Sequence, residues 1–189
     1  MGLSIWKGEK ITLRAVEPKD ADFFFEMNFD HDSLRKLETI DFPQSYEKAK
    51  EFAEKKASEK PENDRFHWIA ENKEGETVGD ILTFKCDQRS GNFYYGIYVV
   101  RAHRGNGYAR EMMRLVLGYY FFELNYQKVT AEVYSFNDRS IRLHEGLGFQ
   151  KEGDLRRVYY TGGQYYNKLL YGMTREEFEE RFGGAQIED

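Results

Sequence analysis

Cysteine is almost absent from this chain, since Cys86 is the only one among its 189 residues. A single thiol cannot form an internal disulfide or a cysteine-based metal site. The four histidines are scattered and lack the close spacing of metal ligands, so we expect no metal. Cys86 itself is expected to be a small buried strand residue, because free cysteine usually packs in a core.

Long apolar runs are absent as well. No stretch approaches the roughly 18 apolar residues that cross a bilayer, and the start, MGLSIWKGEK, lacks the apolar core of a signal peptide. We therefore expect a cytoplasmic protein with no membrane partner. The formal net charge of -5 argues against a nucleic-acid partner and weakly favours a cationic one.

The remaining composition is that of a globular protein, with 40% hydrophobic and 16% aromatic residues. The length favours a single domain over residues 1–189, with its core at about 10–178. Alternating apolar residues predict strands at 10–16, 66–72, 76–86, 92–100, 128–136, 154–160 and 166–173. Helices are predicted from near Lys19, at 45–60, at 105–124, at 139–146 after an Asn137 cap, and at 175–182. This order predicts a mixed α/β fold.

One strand-to-helix junction, VVRAHRGNGYAREMM at 99–113, combines glycine with basic side chains. Gly105 and Gly107 permit close backbone approach and unusual dihedrals, so successive amides can point into one concavity. A helix that starts there adds its positive end, which favours phosphate oxygens, and Arg104 and Arg110 can add charge around the rim. The same spacing also fits a plain turn. It is neither a P-loop, because the Lys-Ser/Thr ending is missing, nor a dinucleotide fingerprint with three glycines.

Several segments, in order, resemble the GNAT acetyltransferase superfamily. RGNGYA at 104–109 resembles its R-x-x-G-x-G/A signature, and NDRSIRLHEGLGF at 137–149 resembles the N-x-x-S-x-x-L-Y-E-K-L-G-F block. That block is typical of the branch with ribosomal-protein N-terminal and spermidine acetyltransferases. The tail GDLRRVYYTGGQYYNKLLYGM is similar to the same branch. The resemblance implies an α/β (α+β) GNAT fold, with a central, mostly antiparallel sheet of about seven strands and flanking helices.

What the resemblance implies about function is N-acetylation of a primary amine, with acetyl-CoA as co-substrate. The loop would cradle the pyrophosphate, the strand before it would pair with the pantetheine arm, and free amides at 98–100 would polarise the thioester carbonyl. The cofactor-binding residues implied are Tyr98, Val99, Val100, Arg104, Gly105, Asn106, Gly107, Tyr108, Ala109, Arg110, Asn137, Arg139 and Ser140. The amine attacks directly in a ternary complex, so Cys86 needs no catalytic role.

Two positions depart from the family pattern. His144 stands where a tyrosine commonly protonates the leaving sulfur, and we predict it to be the general acid; the alternative is a helix-surface histidine. Tyr94 stands where many relatives have a carboxylate, which leaves a water relay, Tyr94, Asp80 or Glu132 as the base. These departures keep open a different class of function, a non-catalytic acyl-CoA-binding module.

The acceptor is left open by the sequence. A small amine, a polyamine and a peptide or protein N-terminus all supply the primary amine, and a homodimer is allowed. An acidic set falls where this branch places its acceptor-binding helices, and it can attract an ammonium group or simply be a solvated face. Its members are Glu26, Asp30, Asp32, Glu38 and Asp41.

Overall fold

The structure is a computed structural model, and it describes residues 4–37 and 40–184. The described residues form seven strands: β1 (Ile11–Ala15), β2 (His67–Asn72), β3 (Thr77–Asp87), β4 (Asn92–Val99), β5 (Lys128–Tyr134), β6 (Gln150–Thr161) and β7 (Gln164–Thr174). They also form six α-helices: α1 (Ala21–Met27), α2 (His31–Leu34), α3 (Tyr46–Ser58), α4 (Tyr108–Phe122), α5 (Asp138–Leu147) and α6 (Arg175–Phe182). Short 3-10 turns at Pro18–Asp20 and Arg101–His103 precede α1 and α4.

All seven strands belong to one sheet, in the order β1-β2-β3-β4-β5-β7-β6. The pairs β1–β2, β2–β3, β5–β7 and β6–β7 are antiparallel, whereas β4 and β5 are parallel. The β4–β5 register runs from Asn92 with Lys128 to Tyr94 with Thr130, and β4 continues beyond it to Val99. The prediction of a mixed, mostly antiparallel sheet is confirmed.

The chain divides into two compact units. The first contains the residues up to Thr83 together with Gly96–Met112, and the second contains Phe84–Tyr95 and the residues from Met113 onward. Strands β3 and β4 and helix α4 each contribute residues to both units. That the whole chain is a single domain stays a prediction.

The core of the first unit lies between α1, α3 and the adjacent strands. Its buried members are Val16, Ala21, Phe24, Ala49, Ala53 and Ile69, with Phe23 and Phe25 packed against them. Helix α3 contributes the small residues Ala49 and Ala53 to this cluster, and most of its other side chains are exposed. Ser45 begins α3 by accepting a hydrogen bond from the Lys48 amide.

The core of the second unit is aromatic. Phe93 of β4 stacks on Tyr120 of α4 with 4.2 Å between ring centroids, and Phe121 packs on Phe178 of α6 at 5.3 Å. Helix α6 begins with a capping box between Thr174 and Glu177, which satisfies two amides of its first turn.

Most predicted elements are confirmed, with shifts at their ends. Helix α4 was predicted from Gly105 and instead begins at Tyr108, because Gly105 and Gly107 have φ of +89° and +83°, outside the helical region. Strand β6 begins at Gln150, before the predicted start at 154. Within the described residues, no helix is long and apolar enough to span a membrane.

Candidate active site

The loop between β4 and α4 has the backbone that the glycines predicted. Gly105 and Gly107 both take the left-handed conformation, and both are exposed. The first amides of α4 follow directly, and amides of a first helical turn have no partner within their own helix. Such a turn at a helix N-terminus suits phosphate oxygens. Arg110, one turn into this region, is exposed.

Lys10 brings a further positive charge to this loop. Its Nζ donates to the Asn106 carbonyl oxygen at 2.9 Å, and a Cβ on Gly107 would lie 3.1 Å from the same nitrogen. Below it, buried Glu111 of α4 accepts hydrogen bonds from the amides of Glu9 and Lys10. The segment before β1 is thereby held against the start of α4. Lys10 was missed as a rim residue because it lies far from the loop in the sequence.

Arg104 does not point its charge around the rim as predicted. Its Nε donates to the Val99 carbonyl oxygen at 3.0 Å, its Nη2 contacts Asp30 at 2.9 Å, and its Nη2 also donates to the Ser33 hydroxyl. The guanidinium therefore holds the loop to α2 and to the end of β4. Any contact of Arg104 with phosphate stays a prediction.

Asp30 is the centre of this network. It caps α2 by accepting from the Ser33 amide, and it contacts Arg101 at 3.2 Å and the Tyr98 hydroxyl at 3.4 Å. Burial opposes its ionisation, but the hydrogen bonds from Ser33 and Arg101 and the charge of Arg104 outweigh it, so the Asp30 pKa is lowered. Asp30 is thus an internal anchor. Of the other proposed acceptor carboxylates, Glu38 lies outside the described residues.

One backbone amide directly after β4 already has a hydrogen-bond acceptor, so it is not free to polarise the carbonyl of a thioester. The amide of Val100 donates to the Val78 carbonyl oxygen at 2.9 Å, so the prediction of a free amide at this position is wrong. Tyr98 is buried; desolvation, followed by the charge of Asp30, raises its pKa to about 12. Its hydroxyl therefore stays protonated at neutral pH.

Tyr94, in the second unit, lies in a mixed aromatic and charged cluster. The Lys85 ammonium sits 4.7 Å from its ring centroid, and the same lysine contacts Glu132 at 3.1 Å. Lys168 contacts Glu132 from the other side at 2.8 Å. Burial opposes ionisation of Glu132, but these lysines lower its pKa. Glu132, one of the alternative bases, is consequently an ion-paired carboxylate and a weak proton acceptor.

Helix α5 begins as predicted. The Asn137 side chain accepts a hydrogen bond from the Ser140 amide at 3.3 Å, which confirms the cap. Arg139 is exposed on its first turn. Whether Asn137 and Ser140 also contact the pantetheine arm stays a prediction.

His144 is buried, with 3% of its surface exposed, so the alternative of a helix-surface histidine is wrong. Its Nδ1 lies 2.7 Å from the Ser140 carbonyl oxygen, which can only accept, so Nδ1 carries the hydrogen. Nε2 of the neutral ring then accepts from the Tyr95 hydroxyl at 2.5 Å. Burial, partly offset by the Ser140 hydrogen bond, lowers the His144 pKa to about 4. This geometry favours a packing role over proton donation to sulfur.

Tyr134 lies at the end of β5. Its ring stacks on Tyr159 with 3.9 Å between centroids, and the Lys168 ammonium lies 5.5 Å from the ring centroid. Its hydroxyl is buried and has no hydrogen-bond partner among the described residues. The sequence does not indicate a buried hydroxyl of this kind, because aromatic residues in strands usually indicate packing.

Cys86 is only partly buried on β3, so the prediction of a buried thiol is wrong. Its Sγ lies 3.8 Å from the Phe84 carbonyl oxygen.

Comparison with known proteins identifies the family. The model of the acetyltransferase (GNAT) domain matches residues 10–150. The SPbeta prophage-derived uncharacterized N-acetyltransferase YokL of Bacillus subtilis is 45% identical over 183 residues, which cover 97% of this chain and 100% of YokL. This chain belongs to the GNAT acetyltransferase family. As such it is an acetyl-CoA-dependent N-acetyltransferase.

Two further relatives of this GNAT chain are spermidine acetyltransferases. The spermidine N(1)-acetyltransferase of Vibrio cholerae is 27% identical over 165 residues, covering 86% of this chain and 92% of that enzyme. The crystal structure of spermidine N-acetyltransferase from Vibrio cholerae in complex with CoA and spermine matches the fold with a TM-score of 0.79. At 21% identity it covers 90% of this chain and 99% of that one. The predicted GNAT fold is confirmed.

Asp30 of this GNAT chain gives a direct test of the loop anchor. Asp30→Asn is expected to lower the free energy of unfolding at neutral pH by about 2 kcal/mol, because hydrogen bonds to two arginines lose their charged acceptor. Since the folded pKa of Asp30 is lowered, this contribution is present above its ordinary value of 3.8 and is lost as pH falls through the folded pKa. Denaturant unfolding across pH measures it.

The matched control is Asp32→Asn, the next acid in the same helix. Asp32 is more than half exposed and contacts Lys36 and Arg101. Asp32→Asn is therefore expected to lower the free energy of unfolding by much less than Asp30→Asn does. Equal losses in the two variants at neutral pH would show that Asp30 is an ordinary surface carboxylate.

Proposed function

We propose that this enzyme acetylates a linear polyamine or a related small primary amine, by direct attack of the amine on the thioester of acetyl-CoA. The observation that carries the proposal is the loop before α4, whose two left-handed glycines and helix N-terminus suit a pyrophosphate. The similarity to spermidine N(1)-acetyltransferase over most of both chains supports a polyamine acceptor.

The reaction needs a neutral amine nitrogen. The nitrogen forms a bond to the acetyl carbon, the carbon–sulfur bond breaks, and CoA leaves as a thiolate that takes up a proton. The amine must also lose a proton, whose aqueous pKa is roughly 10, so the site needs a proton acceptor near neutral pH. No covalent enzyme intermediate is required, which leaves Cys86 outside the reaction.

The first unit offers exposed carboxylates that suit a cationic acceptor. Glu26 of α1 and Asp41, in the segment before α3, are exposed, and so are the aromatic side chains of Phe29 and Phe42. Carboxylates together with aromatic faces attract an alkylammonium group by charge and by cation–π contact. Asp30 is excluded from this role because its oxygens bind arginines and the cap of α2.

The function is tested with a panel of amines and a thiol assay for CoA release. We expect spermidine, spermine and short diamines to release CoA faster than amino acids or a peptide N-terminus. Release from none of the amines would overturn the proposal, and a strong preference for the peptide would replace the polyamine by a protein N-terminus.

The acceptor carboxylates are tested by charge removal. Glu26→Gln and Asp41→Asn together are expected to raise the acceptor KM several-fold at low salt and to leave the saturating rate nearly unchanged, because they guide a cation. The difference should shrink as salt is added. Glu180→Gln, which removes an exposed carboxylate of α6, is the matched control. A salt-independent KM that equals the control would assign both acids to the solvated surface.

A further inference from the structure

An imidazole and a carboxylate form a close pair on adjacent strands of the first unit. Nε2 of His67 on β2 lies 2.6 Å from Oδ2 of Asp80 on β3. Asp80 is 4% exposed, and its Oδ1 has no hydrogen-bond partner among the described residues. A buried carboxylate oxygen without a hydrogen-bond donor is unfavourable, so a purely structural role does not account for the position of Asp80.

The hydrogen bond sets the tautomer of His67. An ionised carboxylate only accepts, so Nε2 carries the hydrogen and donates it to Asp80, which leaves the lone pair on Nδ1. A carboxylate in this position orients the imidazole and stabilises the imidazolium that forms when Nδ1 takes a proton. The His67 side chain remains 12% exposed, whereas that of its partner is 6% exposed.

The pair lies beside the strand that is predicted to hold the acetyl group. Gly79, the residue before Asp80, packs so closely on β4 that a Cβ there would clash with the carbonyl oxygen of Tyr98. The charge of Asp80 also contributes, after desolvation and Asp30, to the raised pKa of Tyr98. The dyad thus lies next to a residue of the predicted cofactor-binding strand.

The walls around His67 are apolar on the helix side. Phe24 of α1 packs on its ring with 5.7 Å between centroids, and Phe52 of α3 packs at 6.4 Å. Among the described residues, three charged or titratable groups face this side: Asp80 bonds to the ring, Tyr98 senses the charge of Asp80, and the Lys56 ammonium of α3 lies 5.9 Å from the Phe52 centroid. Apolar walls favour the neutral form of an amine over its ammonium form.

We propose that His67 is the proton acceptor for the attacking amine and that Asp80 is its positioning residue, an inference that rests on the proposed function. Nδ1 of His67 takes the ammonium proton of the bound amine, and the imidazolium then releases it to water. The neutral nitrogen bonds to the acetyl carbon, and the second proton that it loses goes to the departing thiolate. The free Oδ1 of Asp80 accepts a hydrogen bond from a second N–H of the acceptor or from water. Many relatives have a carboxylate at the position of Tyr94, and His67 of β2 takes over the role of base that such a carboxylate would have.

The test compares His67→Gln with wild type across pH, with CoA affinity measured by calorimetric titration. We expect His67→Gln to lower kcat/KM near neutral pH by about a hundredfold, the lower range for a positioned base, and to leave CoA affinity unchanged. The loss should shrink near pH 10, where about half of the amine is already neutral in solution. Asp80→Asn should cost less, because His67 keeps its ring and loses only the carboxylate that orients it.

The matched control is His31→Gln, which changes an exposed histidine and should keep the wild-type profile. A His67→Gln loss that persists undiminished at high pH would assign the pair to structure and overturn the inference. If that variant does not fold, nitrogen NMR of wild-type His67 decides, since a protonated Nδ1 in the neutral ring contradicts the proposal. Wild-type inactivity with every amine overturns the proposed function, whereas an active wild type with an unaltered His67→Gln profile overturns this inference alone.

Discussion

Gly107→Val is expected to weaken CoA binding by about a hundredfold, which corresponds to about 3 kcal/mol, or roughly two hydrogen bonds to a charged phosphate. Gly107 has φ of +83°, and its missing Cβ faces the Lys10 ammonium at 3.1 Å. A branched side chain strains this backbone, displaces the lysine and fills the space that phosphate oxygens need. Calorimetric titration with CoA measures the loss.

The control has to separate backbone strain from lost binding. Gly75, in the turn between β2 and β3, has φ of +81° and open space around its missing Cβ, so Gly75→Val carries similar strain in a different turn. Gly105 has equally open space, so Gly105→Val should weaken binding by strain alone and to a lesser degree. Unchanged CoA affinity in folded Gly107→Val would show that the loop is a turn with no role in CoA binding.

His144 is expected to make the protein acid-sensitive. Because burial lowers its folded pKa to about 4, the unfolded chain binds a proton at higher pH than the native state does. Stability is therefore fully present above the unfolded pKa of about 6.5 and is lost as pH falls towards 4, by about 3 kcal/mol in total. Denaturant unfolding at a series of pH values measures this loss.

Replacing the imidazole tests whether His144 is the source. His144→Phe keeps an aromatic ring and should lose most of the acid sensitivity between pH 6.5 and 4, although the Tyr95 hydroxyl loses its imidazole acceptor and keeps only its contact with Met113 Sδ. His31→Phe changes an exposed histidine and should leave the pH dependence as it is in wild type. An acid sensitivity that survives His144→Phe would place its origin elsewhere.

Local signals in the sequence predicted the parts of the site that depend on neighbouring residues. The left-handed backbone at Gly105 and Gly107 follows from their lack of Cβ, and the Asn137 cap follows from its place before a helical pattern. The start of α4 was placed too early, at Gly105, although the positive φ of Gly105 and Gly107 excludes both residues from the helix.

Contacts between residues that are far apart in the sequence could not be predicted from it. Arg104 binds Asp30, although helices α2 and α3 and strands β2 to β4 lie between them in the sequence. The charge that was predicted for the rim of the loop is therefore used inside the first unit. His67 and Asp80 meet because β2 and β3 form an antiparallel pair, and alternation alone does not give the register. For His144, the sequence pattern predicted the helix, but the burial of the imidazole depends on residues such as Tyr95 of β4.

The Asp30 network connects α2 to the end of β4 and to the loop that is predicted to hold acetyl-CoA. One carboxylate holds α2, the Tyr98 hydroxyl and two arginines that flank the phosphate loop. An acceptor that shifts α2 when it binds must also shift the arginines, so it changes the affinity for acetyl-CoA. By reciprocity, acetyl-CoA changes the affinity for that acceptor by the same factor. An enzyme with this coupling would bind its two substrates as a linked pair, each changing the affinity for the other by one common factor.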